Sequence, residues 1–302
     1  MTEIIPFSAE EYLDWIGLTD AIAAGHKLPP AEPADSFLYR GDDTMLSRAA
    51  WIDGMGIAVK TGTIFPGNAK RDLPTINGGV CLYRDSDGIL EAVLDFRLVT
   101  KWKTAADSLL AARRLAPPET RSILICGAGT VAASLVSAYR AAFPDARIAI
   151  WNRTPERAEA LARETGAIFT ADLPGAVRAA DIVSTATMSR DPVLKGEWLR
   201  AGQHIDLIGA YRPDMREADD TALTRARLFV DNRATVLDHI GEFRDPIGRG
   251  VISPDDLVAD FYDLPAFTRA PEDLTLFKNG GGAHLDLMTS RYILERWQGA
   301  QG

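Results

Sequence analysis

Four groups of residues in this 302-residue chain have types and spacings suited to chemistry. The sharpest is Gly127-Ala128-Gly129 with Ala132, spaced as G-x-G-x-x-G/A. An apolar run from Ile123 to Cys126 precedes it, and Val131, Leu135, Ala138 and Ala142 follow at the spacing of one helix face. Pro144-Asp145 break that pattern, and a second apolar run, Ile148 to Trp151, comes next. Strand, glycine turn, helix, strand is the unit that lays a dinucleotide pyrophosphate on a helix N-terminus. Gly127 permits the turn, Gly129 lets phosphate approach the backbone, and Thr130 and Val131 open the helix.

The second group is Asn152-Arg153-Thr154, at the end of the second run. A carboxylate near this point would bond the ribose 2′-hydroxyl of NAD. None is present. A guanidinium can instead pair bidentately with a 2′-phosphate, while the amide and hydroxyl donate to it. Arg157, one helical turn beyond Thr154, supplies a second cation. These residues favour NADP(H), with NAD(H) as the alternative. The same stretch also reads as a helix start, with Thr154 as N-cap and Pro155 at the first position. Both readings can hold at once.

Thr185-Ala186-Thr187 and Gly209-Ala210 form the third group. They follow the apolar runs from Ile182 and from His204, at the carboxyl ends expected to face a nucleotide. The fourth group is three cations, Arg40, Lys60 and Lys103, in or just after the first part of the chain. On spacing alone each is more readily a surface charge, since no rule brings them together. His284 follows the glycine triplet Gly280-Gly281-Gly282, with capping or packing of the last helix as its plainer role. Asp206 is polar for the interior of a parallel strand and has no assigned chemistry, and Asp286 reads as a structural end of the glycine loop.

The elements that must position these groups alternate after residue 117. Helix 155–165 stops at Gly166, and short strands are expected near Ile168, at 182–185, at 204–208 and at 228–230. Such alternation implies a doubly wound, Rossmann-type parallel sheet over 117–282. Before it, glycine-separated runs (FLYR, GIAVKT, GGVCLYRD, ILEAVLDF) predict an antiparallel or mixed sheet in a smaller α+β lobe over 1–116. Ser8 is expected to cap a first helix, Pro29 to Pro33 to form a rigid connection, and Asp85 to Gly88 a hairpin turn. A linking helix spans 104–116 and ends at Pro117-Pro118, and the chain closes on a helix from Ala283 to about Trp297. The fold class is therefore α/β.

Composition narrows the function classes. A net charge of -9 argues against nucleic acid, which needs a basic face. No apolar run approaches the roughly 20 residues of a membrane helix. Two cysteines and four scattered histidines show no metal spacing, so no metal is expected, and a reducing cytoplasm fits.

Taken in order, Val59-Lys60-Thr61 with Phe65-Pro66-Gly67-Asn68, the run Val99 to Ala106, Gly127-Ala128-Gly129, Trp151 to Thr154, Ile208 to Glu217, and Thr275 to Lys278 resemble the ornithine cyclodeaminase/mu-crystallin family. The resemblance implies that the first lobe binds substrate and pairs two subunits, that the last helix (about 283–302) completes it, and that the active site lies between lobes of a homodimer. It assigns Arg40 and Lys60 as the substrate-carboxylate Arg and active-site Lys, and Thr104 as a neighbour of the nicotinamide. Lys103 stands where the family usually has an Arg. Tyr211 stands where ornithine cyclodeaminases carry an Asp, which places the chain nearer the ketimine-reductase branch.

That branch implies NADPH-dependent reduction of Δ1-pyrroline-2-carboxylate and Δ1-piperideine-2-carboxylate to L-proline and L-pipecolate, a role in amino-acid metabolism. Lys60 then either donates a proton to the imine or only clamps the carboxylate. The alternatives are ornithine or lysine cyclodeamination, alanine dehydrogenation, and a non-catalytic protein that binds NADPH and a small ligand.

Overall fold

A computed structural model describes residues 1–301 and divides the chain into two compact units. Unit 1 is Met1–Lys103 together with the chain from Gly282 onward; unit 2 is Thr104–Gly281.

Unit 1 is built on a 6-stranded sheet. Its strands are β1 (Glu3–Ile5), β2 (Glu32–Arg40), β3 (Asp43–Ile52), β4 (Gly56–Ile64), β5 (Ile76–Tyr83) and β6 (Leu90–Asp95), in the order β1-β6-β5-β4-β3-β2. β1 runs parallel to β6, and every other pair is antiparallel. On β4 burial alternates, with Gly56, Ala58, Lys60 and Gly62 turned inward. A lysine thus occupies a position where the period-2 pattern calls for an apolar residue. The C-terminal helix packs against β3, β4 and β5, and the helix Trp15–Gly25 (α1) packs on it in turn.

Several expectations for this unit are corrected. Ser8 caps no α-helix; it lies in a 3-10 turn, Phe7–Tyr12, entered through Pro6. The helix starts later because the Asp14 carboxylate accepts the amide of Gly17 at 2.6 Å. The segment after Pro29 is no mere connection, since β2 begins at Glu32 and tolerates Pro33 because it is an edge strand. β3, unforeseen for want of clean alternation, pairs along its length with both neighbours.

The linking helix α2 runs Phe96–Leu115 and so begins well before Thr104. Asp95 Oδ1 accepts from the amides of Arg97 (2.7 Å) and Leu98 (3.1 Å), which starts the helix where the apolar run Ile89 to Phe96 reads as continuous strand. Lys103 therefore sits on a helix, and the division between units falls inside α2 rather than at Pro117. The hairpin turn at 85–88 forms as expected, with Gly88 at φ 68°.

Unit 2 holds an 8-stranded sheet, parallel throughout. It comprises β7 (Ser122–Cys126), β8 (Arg147–Trp151), β9 (Ile168–Phe169), β10 (Ile182–Thr185), β11 (His204–Leu207), β12 (Arg227–Val230), β13 (Leu257–Ala259) and β14 (Thr275–Lys278). The order is β13-β12-β14-β11-β10-β7-β8-β9. Helices α3 (Thr130–Ala142), α4 (Pro155–Thr165), α5 (Leu173–Ala179), α6 (Asp220–Arg225), α7 (Arg233–Val236) and α8 (Gly241–Gly248) connect them, and α9 (Ala283–Gln301) is the C-terminal helix of unit 1. β10 and β11 are fully buried runs, as a sheet covered on both faces requires. From β7 the chain passes to β8 and β9 on one side and returns to β10 on the other. That reversal opens a crevice at the carboxyl ends of β7 and β10, the usual place for a nucleotide.

Candidate functional site

The glycine turn of unit 2 has the form its spacing predicts. Gly127 lies at φ 131°, and a Cβ there would meet the Ala186 carbonyl oxygen at 2.6 Å. Gly129 is the N-cap of α3, with no side chain capping the helix, and nothing stands within 4 Å of where its Cβ would be. Free amides at a helix start, above a residue whose missing side chain leaves open space, suit a pyrophosphate. Thr130 and Val131 form the first turn of that helix.

At the end of β8, Asn152 Nδ2 donates to the Thr154 carbonyl at 2.9 Å and shapes the turn into α4. Thr154 takes the N-cap position with Pro155 next, yet its hydroxyl caps nothing. Arg153 and Arg157 are exposed. Arg153, Arg157 and the Thr154 hydroxyl are thus exposed at the start of α4.

The loops after β10 and β11 are tied to each other by Glu217, which is fully buried. Its Oε1 accepts from Thr187 N and Thr187 Oγ1, both at 2.7 Å, and its Oε2 from Gly209 N at 2.6 Å. A Cβ on Gly209 would fall 1.5 Å from the Thr187 carbonyl oxygen, so only glycine lets these loops approach. Thr185 and Ala210 are buried at the same ends, and Thr104 accepts from Asn279 Nδ2 at 3.0 Å through its carbonyl. Glu242 accepts the amides of Glu217 (2.7 Å) and Ala218 (3.0 Å), and Lys278 Nζ donates to the Leu207 carbonyl at 3.0 Å among Glu217, Glu242, Asp231 and Asp206. Burial pushes Glu242 up to about 7 and Asp206 up to about 6. Asp206, left without a role by the sequence, accepts from Tyr139 Oη at 2.9 Å and Ser184 Oγ at 2.7 Å.

Unit 1 carries a second cluster, and it is mainly cationic. Lys60 Nζ donates to Asp286 Oδ1 at 2.9 Å and lies 4.7 Å from the centre of the Phe96 ring. Gly62 and Gly78 leave room for that ring, which a Cβ at either would crowd. Burial lowers the Lys60 pKa from its ordinary value, and Asp286 opposes the shift. Burial would raise Asp286, but Lys60 and Lys103 outweigh it and hold the carboxyl below its usual range. Lys103 is itself almost fully buried. His284 is pushed down to about 3 by burial and by His26 and Lys103, and packs edge-on against His26 at 5.4 Å.

Arg40 is not part of this cluster. It sits at the tip of the β2–β3 hairpin, register partner of Asp43, to which it is paired at 2.9 Å with its side chain 79% exposed. Strand alternation puts it on the opposite face of the sheet from Lys60, over the Phe65 ring. The arginine directly across from Lys60 is Arg48, on β3, a strand the sequence reading missed. Asp35 holds it, its two oxygens each 3.1 Å from Arg48 Nε. Asp286 was also missed as a member of the cluster; an acid between Leu285 and Leu287 in a buried helix was the available signal.

Known proteins resemble this chain over most of its length. Residues 47–301 match the model of the ornithine cyclodeaminase/mu-crystallin family. The chain is 50% identical over 291 residues to a Δ1-pyrroline-2-carboxylate reductase of Paracoccus denitrificans, covering 93% of this chain and 92% of that protein. It is 33% identical over 248 residues to the ketimine reductase mu-crystallin of Rattus norvegicus, covering 80% and 76%. Its fold is that of Thermococcus litoralis Δ1-pyrroline-2-carboxylate reductase solved with NADH and L-proline, at a TM-score of 0.87, 22% identity, and coverage of 99% and 98%.

Proposed function

The chain belongs to the ornithine cyclodeaminase/mu-crystallin family, and from that premise we propose that it is an NADPH-dependent reductase of cyclic ketimine carboxylates. The substrates are Δ1-pyrroline-2-carboxylate and Δ1-piperideine-2-carboxylate, and the products L-proline and L-pipecolate. The observation that carries the reading is the Lys60 cluster. Arg48, Lys60 and Lys103 outnumber Asp35 and Asp286, and burial makes the excess positive charge costly until an anion joins it. A 2-carboxylate is such an anion.

Gly127, Gly129, Thr130 and Val131 would hold the pyrophosphate of the cofactor, with Asn152, Arg153, Thr154 and Arg157 at its 2′-phosphate. Thr185, Ala186, Thr187, Gly209 and Ala210 would face its nicotinamide half, which when bound supplies hydride. Lys60 and Arg48 fix the substrate carboxylate, and Lys103 adds charge from α2. Tyr211, 58% exposed, offers no carboxylate for deamination, which speaks against an ornithine cyclodeaminase.

A homodimer is part of the proposal. Every residue of the edge strand β2 is exposed, and Phe37, Leu38 and Tyr39 stand on it at 49%, 60% and 72% exposure. An apolar edge of this kind needs a cover, and a second copy supplies it. No helix among the described residues is long and apolar enough to cross a membrane. The test is NADPH oxidation by each imine, followed by its absorbance and compared with NADH. Absence of turnover with both imines overturns the reading.

A further inference from the structure

Asp286 has one oxygen committed and one not. Oδ1 takes the Lys60 ammonium at 2.9 Å, whereas Oδ2, equally buried, has no hydrogen-bond partner among the described residues. The residue is 1% exposed, in the first turn of α9 and among the charges of Lys60, Lys103 and Arg48. A buried acceptor without a donor is expensive and calls for a partner, and beside an excess of cations able to hold an anionic ligand that partner can be a donor on the ligand. The groups that act electrostatically on Asp286 are Lys60 on β4, Arg48 on β3, Lys103 on α2 and His284 on α9 itself.

A cyclic ketimine acid and a 2-oxo acid carry the same carboxylate. They differ at the atom double-bonded to C2, which is an N–H donor in a protonated imine and a lone-pair acceptor in a ketone. We propose that Asp286 selects between them: Oδ2 accepts the N–H of the substrate ring nitrogen, while Lys60 and Arg48 hold the carboxylate. This deepens the reductase reading and rests on it for the substrate class. Lys60 and Lys103 keep Asp286 ionised, so it attracts an iminium and repels a carbonyl oxygen.

The reaction then balances without a proton from the protein. Hydride adds to C2, the C=N π pair becomes the nitrogen lone pair, and the nitrogen keeps the proton it arrived with. Iminium plus hydride gives a neutral secondary amine. Lys60 is accordingly a clamp rather than the proton donor.

The test uses two flat anions of nearly the same shape, pyrrole-2-carboxylate with a ring N–H and furan-2-carboxylate with a ring oxygen, titrated calorimetrically into the NADP-saturated full chain. The expected result is about tenfold tighter binding of the pyrrole by the wild type, a difference of about 1.4 kcal/mol, which D286N reduces to less than about twofold. A merely structural role for Asp286 would weaken both ligands alike and leave the ratio standing; that outcome overturns the proposal. So does a wild type that binds the two equally or binds neither. Should D286N fail to fold, R48M serves: Asp286 and its Lys60 partner remain, both affinities fall, and the tenfold preference must persist, its loss overturning the proposal. Because binding needs no turnover, a wild type that prefers the pyrrole yet reduces no imine would sink the reductase reading and leave donor selection intact.

Discussion

The two units bury charge in opposite proportions. Unit 1 surrounds Asp286 with Lys60, Lys103 and Arg48; unit 2 surrounds Lys278 with Asp206, Glu217, Asp231 and Glu242. The difference lies in what answers the charges. In unit 2 backbone amides do much of the work: Glu217 holds Thr187 and Gly209, Glu242 holds Glu217 and Ala218, and Asp231 accepts from Asn232 N at 2.8 Å and Gly281 N at 2.6 Å. Those carboxylates fasten loops. In unit 1 the partners are side chains and cations are in excess; Asp286 Oδ2 is left open there, as Asp206 Oδ1 is in unit 2. A buried cluster closed by backbone fastens the fold, whereas one answered by side chains with cations in excess is where the proposed substrate anion would bind.

The substitution expected to expose that contrast most is K60M. It removes a contact to the substrate carboxylate and strands Asp286, so kcat/KM with Δ1-pyrroline-2-carboxylate should fall by about a thousandfold, near the upper part of the range for breaking a buried charge pair. Steady-state kinetics on folded variant, verified by circular dichroism, decides it; a drop below tenfold would erase the distinction between the units.

K278M is the counterpart in unit 2. It should cost about 3–5 kcal/mol of stability in a denaturant titration through uncompensated buried carboxylates. The sign with pH follows from Glu242 at about 7 and Asp206 at about 6, both raised by burial above their unfolded values. Their contribution is complete below the ordinary carboxylate range and is lost as pH rises through 6 to 7. The K278M penalty should therefore be larger at alkaline than at mildly acidic pH. A flat penalty would mean that Lys278 does not neutralise them.

Smaller effects separate the two arginines of unit 1. Arg48→Lys should raise KM for the imine by about tenfold by losing the planar fork, whereas Arg40→Ala should leave it within about twofold. The reverse result would return Arg40 to the substrate. Last, Arg153→Ala should reduce the preference for NADPH over NADH by about tenfold, read as the ratio of kcat/KM values.

The nucleotide half was legible in the sequence because its chemistry is local. From Ser122 to Thr154 the strand, Gly127 and Gly129, helix and strand follow one another, so spacing alone predicts the turn and where the phosphates lie. The Lys60 cluster was not legible in that way. Lys60 and Asp286 meet across 226 residues, and only the packing of α9 on the sheet joins them. Which arginine, Arg48 or Arg40, shares a sheet face with Lys60 depended on hairpin register, whose parity no composition or motif encodes.

By itself, then, the sequence determined the Rossmann unit, its glycine turn and the exposed arginines at the start of α4, since local backbone preference and helix-face periodicity act between near neighbours. Tertiary structure decided which charges share a site, because burial, register and ion pairing arise only when distant segments exclude water together.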